Sequence, residues 1–124
     1  MSLVNEAKTY LEEIREHRRY IHEHAEVGFE LEKTRQYISQ SLKEMGYEPK
    51  EVGGGIVALV GGKKPGKTIL IRGDMDALPI KEDAKVKYAA KTGNMHACGH
   101  DFHAAMLLGA ARLLKNHEEE IEGQ

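Results

Sequence analysis

The amino-acid sequence predicts an α/β layered fold whose elements follow the order helix, helix, strand, strand, loop, helix. Apolar residues recur at helical spacing at both ends of the 124-residue chain, and two short runs rich in β-branched residues lie in its middle. A chain of this length is expected to form one domain. Because two strands are few for a stable sheet, we expect the chain to be part of a larger layered domain.

The helices are predicted from amphipathic patterns. The first pattern covers residues 3–24, and a second begins after Gly28 and ends near Met45, where Gly46 is a natural C-terminal cap. The last helix is expected over residues 102–117, because its apolar residues form one stripe. The glutamate-rich segment that follows is expected to be a solvated helix end.

The strands are predicted from two continuous apolar runs. Residues 56–60 and 68–71 are rich in β-branched side chains, which favours buried strands. The connector 61–67 contains glycine, lysine and proline and suits a hairpin, so antiparallel pairing of the two runs is expected. The polar segment 81–93 shows little pattern and is expected to form an excursion loop.

The composition is that of an ordinary globular protein, with 40% hydrophobic and 31% charged residues. The formal net charge of −2 and the dispersal of basic residues among acidic ones argue against a nucleic-acid partner. No apolar run approaches the ~20 residues of a membrane span, and the N-terminus lacks a signal-peptide pattern, so no membrane association is expected. The single cysteine cannot form an internal disulfide, which favours a cytoplasmic location.

Residues 95–103 hold three histidines, an aspartate and the only cysteine of the chain. Thiolate, imidazole and carboxylate groups are ligands of divalent transition metals. Gly99 separates Cys98 from His100 and lets the neighbouring side chains turn towards one point. Since a helix pattern follows, the cluster is expected on a loop that enters a helix N-terminus. The alternative is that Cys98 is a small buried apolar residue and the histidines are ordinary surface or core residues.

A pair of carboxylates, Asp74 and Asp76, follows the second predicted strand. Ligands of α/β folds bind at the carboxyl ends of strands. These aspartates could bind a metal, or they could accept a hydrogen bond from a metal-bound imidazole and fix its tautomer. The alternative is a turn cap before Pro79.

A third segment, residues 22–30, begins with His22 and His24 in a pattern that resembles a metal site. Histidines two residues apart do not share a helix face, so a helical chelate is not expected. We favour a structural or substrate-side role for this segment.

Three motifs occur in order: RRYIHEHAEVGFE at 18–30, RGDMDALPI at 72–80 and MHACGHDFH at 95–103. Together they resemble the N-terminal part of the metal-dependent amidohydrolases of the aminoacylase and carboxypeptidase-like zinc peptidase clan. The most similar branch contains N-acyl-amino-acid amidohydrolases, hippurate hydrolases, N-acetyldiaminopimelate deacetylases and plant auxin-conjugate hydrolases. One departure is Ala25, where the family usually has proline; it lies in a turn and affects loop rigidity rather than chemistry.

The resemblance implies a fold and a set of site residues. Residues 1–124 would be the N-terminal part of a zinc-exopeptidase-like three-layer catalytic domain, without the lid and dimerisation domain. Cys98 and His100 would be metal ligands, and Asp74 and Asp76 would lie in the active site. The remaining polar residues of the third motif would surround the ligands; these are His96, Asp101 and His103.

The resemblance also implies an activity, which is hydrolysis of the amide bond of small N-acyl amino acids or short peptides. One or two divalent ions would assist, and zinc, manganese, nickel and cobalt all suit a Cys-His set. Family members are roughly three times as long as this chain, and their later segments supply a Glu-Glu pair and further histidine ligands. We therefore expect the chain alone to be inactive, and an exposed sheet edge could let it self-associate. The alternative is a self-contained metal-binding or structural domain without catalysis.

Overall fold

The computed structural model describes all 124 residues and contains four α-helices, one small sheet and a final 3-10 turn. The helices surround a core to which each of the last three contributes. In chain order the elements are α1 (Leu3–Thr9), α2 (Leu11–Glu23), α3 (Glu32–Glu44), β1 (Lys50–Val52), β2 (Gly55–Val57), α4 (His100–Asn116) and the 3-10 turn (Glu118–Glu120).

The first predicted helix is divided at Tyr10 into α1 and α2. The Thr9 hydroxyl donates to the Glu6 carbonyl at 2.6 Å. The Tyr10 amide, which would donate to this carbonyl in a continuous helix, donates to the Ala7 carbonyl at 3.0 Å. A threonine hydroxyl that takes a helix carbonyl competes with the backbone ladder. This local competition, which an apolar pattern does not reveal, explains the break.

Helix α4 is the centre of the fold. It packs closely on α2. The contact leaves no room for a side chain at Gly109, since a Cβ atom there would lie 2.7 Å from Ile14 Cδ1. Ala104 and Leu108 of α4 and Ile21 of α2 are buried in one apolar cluster. Burial of such side chains is the main favourable contribution to folding, so the α2–α4 contact holds the two ends of the chain together.

The start of α3 is capped from a distance by Glu26. No side chain of the N-cap residue Leu31 bonds to the helix, but the Glu26 carboxylate accepts from the Thr34 amide and the Thr34 hydroxyl, both at 2.7 Å. A carboxylate at a helix N-terminus satisfies free amides and suits the helix dipole. Part of the segment 22–30 is therefore structural.

The sheet differs from the predicted one. Its two antiparallel strands are β1 and β2, joined by Gly53 and Gly54, which both have positive φ angles of 58° and 86°. Two such glycines form the tight hairpin turn that matches strand twist. The predicted pairing of residues 56–60 with 68–71 was wrong, because only part of the first run is in a strand and the second has no strand neighbour.

The C-terminal residues lie between the two predicted strands. The Gly62 amide donates to the Gly123 carbonyl at 2.7 Å, and the Ile69 amide donates to the Gln124 carbonyl at 2.9 Å. The Gln124 amide in turn donates to the Lys67 carbonyl at 3.0 Å. Of the groups in these bonds, only the Ile69 amide belongs to a predicted strand, and the Gly62 and Lys67 groups lie in the connector between the two runs. None of the four helices combines the length and apolar character of a membrane span.

The contact between α1 and α4 depends on ionised side chains. His117 Nε2 lies 2.7 Å from Glu6 Oε2, and the hydrogen bonds with Glu6 and then Glu120 raise the pKa of His117 above its ordinary 6.5. Because folding raises the pKa of His117, the stabilisation by the His117–Glu6 contact is complete below pH 6.5. It is lost as the pH rises through the folded-state pKa of His117. The hydrogen bond with His117 lowers the pKa of Glu6 below its ordinary 4.5, so this contribution is lost as acid protonates Glu6.

We therefore expect protection of the α1 amides from hydrogen exchange to be greatest between pH 4.5 and 6.5, and to fall as the pH rises further through the raised pKa of His117. Exchange rates corrected for their intrinsic pH dependence would show this. The His117→Gln variant should give a flat profile, and an equally steep profile in that variant would contradict the assignment.

Candidate metal centre

The segment that carries Asp74 and Asp76 is held by backbone hydrogen bonds on both sides. The Ala77 amide donates to the Glu26 carbonyl at 2.7 Å, and Leu78 exchanges two bonds with Met95, at 2.9 and 3.0 Å. The segment is thus fixed between the turn after α2 and the loop before α4. This arrangement carries both aspartates to the first turn of α4.

The candidate metal-binding side chains of α4 follow a sharp turn at Gly99. Gly99 has a φ angle of 80°, which is the left-handed region that glycine adopts without strain. The helix begins at His100, and His103 lies three residues later on the same helix face. The two imidazole rings stack with their centroids 5.6 Å apart.

Asp74, His100 and His103 form a three-residue cluster of possible ligands. His103 Nδ1 lies 2.7 Å from Asp74 Oδ1, and His100 Nε2 lies 3.5 Å from Asp74 Oδ2. One potential ligand atom from each residue lies within 4.8 Å of the others. Two imidazoles and a carboxylate suit Zn²⁺ and related divalent ions, so the donor chemistry and spacing fit a metal.

Asp76 determines which nitrogen of His100 is free. His100 Nδ1 lies 2.8 Å from the Asp76 carbonyl oxygen and 2.9 Å from Asp76 Oδ1. Both neighbours are acceptors, so Nδ1 must carry the proton. Nε2, which lies 3.5 Å from Asp74 Oδ2, is then the nitrogen that could bind a metal, and the Nδ1 contacts resemble the carboxylate–histidine arrangements of metal sites.

The charge state of Asp74 also suits a cation. The hydrogen bond from His103 is the main reason that the pKa of Asp74 lies below its ordinary value, and the nearby His100 adds to the effect. Partial burial acts in the opposite direction. The carboxylate is therefore ionised at neutral pH and is available to share its oxygens with a metal.

The other residues of the third motif lie in different surroundings. Cys98 is a free, exposed thiol on the loop before Gly99 and is outside the three-residue cluster, so its role as a ligand stays a prediction. His103, which the sequence placed around the ligands, is within ligand distance. His96 is 5% exposed with neither ring nitrogen hydrogen-bonded, and burial lowers its pKa.

Asp101 is completely buried beside the site and belongs to a charged network. Its carboxylate oxygen Oδ2 lies 2.8 Å from both Arg18 Nε and His22 Nδ1, and His22 continues the network to Glu82. Sequence reasoning missed this network. The only available signals were the basic residues of the first motif, and no pattern marks Glu82 within the excursion loop.

Comparison with known proteins identifies the family. Residues 70–124 match the family model described as Peptidase family M20/M25/M40. The chain is 42% identical over its whole length to thermostable carboxypeptidase 2 of Saccharolobus solfataricus, of which it covers 34%. It is also 40% identical, over 98% of its length, to 33% of the N-acyl-L-amino acid amidohydrolase of Geobacillus stearothermophilus.

The family match covers the last 55 residues of the chain, and the two named relatives match nearly all of it. A solved structure supports the assignment: the YXEP protein of Bacillus subtilis, described as a dinuclear metal-binding peptidase from the M20 family, superposes with a TM-score of 0.86 at 39% identity. The superposition covers 94% of this chain and 33% of YXEP. The fold is therefore that of part of a family catalytic domain, and the chain spans about a third of the length of the relatives it matches.

His100 is expected to contribute most to metal affinity in this cluster. The His100→Ala variant should bind Zn²⁺ far more weakly, because it removes the imidazole whose Nε2 points to Asp74. Asp76→Ala should weaken Zn²⁺ binding about tenfold, which is the lower end of the effect for residues that orient a metal ligand. The loss is small because the backbone carbonyl of residue 76 still accepts from His100 Nδ1. Competition with a chromophoric chelator would measure both affinities. His24→Ala is a matched control outside the cluster, and equal losses in all three variants would contradict this site.

Proposed function

We propose that this chain is the N-terminal part of the catalytic domain of a metal-dependent amidohydrolase. Its substrates would be small N-acyl amino acids or short peptides, the classes named in the family relatives. The observation that carries the proposal is the convergence of Asp74, His100 and His103 within 4.8 Å. The relationship to carboxypeptidases and amidohydrolases then supplies the reaction class.

Each side chain of the site has a proposed role. A bound divalent ion supplies Lewis-acid activation of the amide carbonyl and of the attacking water. His100 holds the ion through Nε2, Asp74 contributes a carboxylate oxygen, and Asp76 keeps the His100 tautomer. Cys98 approaches as a further ligand from the loop before α4, as the resemblance implies, and a bound metal would favour its thiolate.

Zinc and manganese are the proposed ions, with nickel and cobalt as further candidates. Imidazole and thiolate donors favour zinc, whereas carboxylate oxygens also suit manganese. Two ions are consistent with the description of the related YXEP protein as dinuclear. The free thiol of Cys98 agrees with a reducing compartment such as the cytoplasm.

A general base for the reaction is not supplied by the glutamates of the final turn. Glu118 pairs with Lys115 at 2.8 Å and accepts from the Gly61 amide at 3.3 Å. It also follows the far end of α4, which at ~1.5 Å per residue lies about 24 Å from His100. We therefore propose that residues 1–124 alone bind a metal but do not hydrolyse an amide.

The proposal predicts two results for the purified 124-residue chain. Zn²⁺ or Mn²⁺ should raise its melting temperature, because a ligand bound only by the native state stabilises it. N-acetyl amino acids should release no amino acid. The product of the gene's whole reading frame, if it extends past residue 124, should hydrolyse the same substrates in a chelator-sensitive manner. Chelator-sensitive hydrolysis by the 124-residue chain would refute the proposal that its site is incomplete. A longer product without activity would refute the proposed amidohydrolase function.

A self-contained metal-binding domain is the second candidate. It is favoured by one observation, which is that the three clustered donors all belong to this chain. This candidate requires tight, stoichiometric metal binding. A cobalt complex without a thiolate charge-transfer band, unchanged in Cys98→Ser, would favour it over a site that uses Cys98.

We also propose self-association through the unpaired strand region. Ile69, Leu70 and Ile71 are 75%, 83% and 58% exposed, and no strand of the chain pairs with them. The Ile69 amide bonds to the Gln124 carbonyl, but Leu70 and Ile71 form no backbone hydrogen bond, and an exposed apolar segment of this kind can pair with a second chain. Sedimentation should show dimers or larger species that Leu70→Lys shifts to monomer. Phe29→Lys, at a residue that is 84% exposed elsewhere, is the control. A monomeric parent chain would rule the proposal out.

A further inference from the structure

His22 lies between two buried carboxylates. It is 3% exposed at the end of α2. Its Nδ1 atom is 2.8 Å from Asp101 Oδ2, and its Nε2 atom is 2.8 Å from both oxygens of Glu82. The side chains of Asp101 and Glu82 are 0% and 2% exposed. Water therefore cannot substitute for any partner in this arrangement.

Both carboxylates beside His22 have several hydrogen-bond partners. Burial alone would raise the pKa of Glu82, but the hydrogen bonds from the Ala90 amide and from His22 outweigh it and lower this pKa. The Arg18 guanidinium pairs with Asp101 at 2.8 Å, and its Nη2 atom also lies 3.3 Å from His22 Nδ1. Neither buried carboxylate is therefore left without a partner.

The Glu82 side of His22 holds the excursion loop. Glu82 Oε1 accepts from the Ala90 amide at 2.6 Å, which closes the loop on itself. Tyr88 of the same loop meets the His22 ring edge-on at 6.0 Å and lies under the guanidinium of Arg18. The loop therefore rests on the end of α2, and its charged anchor is the His22–Glu82 pair.

The Asp101 side of His22 holds the first turn of α4. Asp101 follows His100 directly, and its Oδ1 atom accepts from the Phe102 amide at 2.9 Å. The His96 ring lies 6.5 Å from His22 and is the remaining titratable group near it. A change at His22 would therefore reach the turn that carries His100.

We propose that His22 is a positioning residue that joins the excursion loop to the first turn of α4 and thereby orients His100 towards Asp74 and Asp76. This proposal deepens the proposed metal site and rests on it only for its effect on metal affinity. His22 touches neither metal nor substrate. Its contribution is to hold two polar segments in one arrangement through a pair of buried ionic hydrogen bonds.

The first test compares His22→Gln with His24→Gln, which lies two residues later and contacts neither carboxylate. Zn²⁺ affinity should fall tenfold or more in His22→Gln, as for other residues that support a ligand, and should be unchanged in His24→Gln. Hydrogen exchange should accelerate at the Ala90 and Phe102 amides but not at Leu42 in α3. Equal acceleration at all three amides would show a merely structural role, and unchanged exchange at Ala90 and Phe102 would refute the proposal.

The second test concerns the His22–Glu82 pair. The double variant His22→Gln, Glu82→Gln should recover part of the Ala90 protection lost in His22→Gln, because it removes the unpaired buried anion; no recovery would count against the ionic pair.

The two proposals fail in different ways. If the parent chain binds no Zn²⁺, the proposed metal function is refuted, whereas hydrogen exchange at the Ala90 and Phe102 amides still decides whether His22 holds the loop and helix together. If Zn²⁺ binds with equal affinity in the parent chain and His22→Gln, the metal site stands and the positioning role is refuted.

Discussion

The buried carboxylate of Asp101 is the group on which the rest of the structure depends. It sits in the first turn of α4 with no exposure to solvent, and a buried charge is tolerated only when it is paired. Arg18 and His22 of α2 provide that pairing. The buried carboxylate lies where α2 and α4 pack, so Arg18 and His22 hydrogen-bond it at the same contact that buries Ile21, Ala104 and Leu108. Removing one partner of such a pair costs roughly 3–5 kcal/mol, because the other charge is left buried.

The same requirement places the candidate metal centre. Once the first turn of α4 is fixed, His100 and His103 project towards the segment that Glu26 and Met95 hold by backbone hydrogen bonds. Asp76 then orients His100, and Asp74 lies between the two imidazoles. Each of these steps uses a different part of the chain. The site is therefore a property of the tertiary structure, even though its imidazole donors come from one short motif.

Local features of the chain were predictable and long-range pairings were not. The apolar stripe located α4, and Gly46 ends α3 with a positive φ angle of 98°. In place of the expected strand pairing, the Ile69 amide of the second run bonds to Gln124, a contact between segments more than fifty residues apart. The His22–Glu82 pair spans 60 residues. Hydrophobic periodicity shows which face of a helix or strand is buried. Contacts such as the His22–Glu82 pair depend on how distant elements pack together, so a local stretch of sequence does not predict them.

The buried polar groups beside the candidate metal centre carry a cost in folding free energy, and their location suggests a functional reason for that cost. An apolar replacement of a buried ion pair is often neutral or stabilising, and the unpaired nitrogens of His96 add a penalty of ~1–3 kcal/mol for each unsatisfied group. Sequences that fold well violate such rules mainly where function requires it. The buried charges of Asp101 and Glu82 and the unpaired nitrogens of His96 lie around the turn that carries His100, whereas the unpaired His17 Nε2 and Arg112 Nε lie elsewhere in the fold. Directional hydrogen bonds hold a turn and a loop in one geometry, which apolar packing does less strictly, and a metal ligand needs that precision of placement.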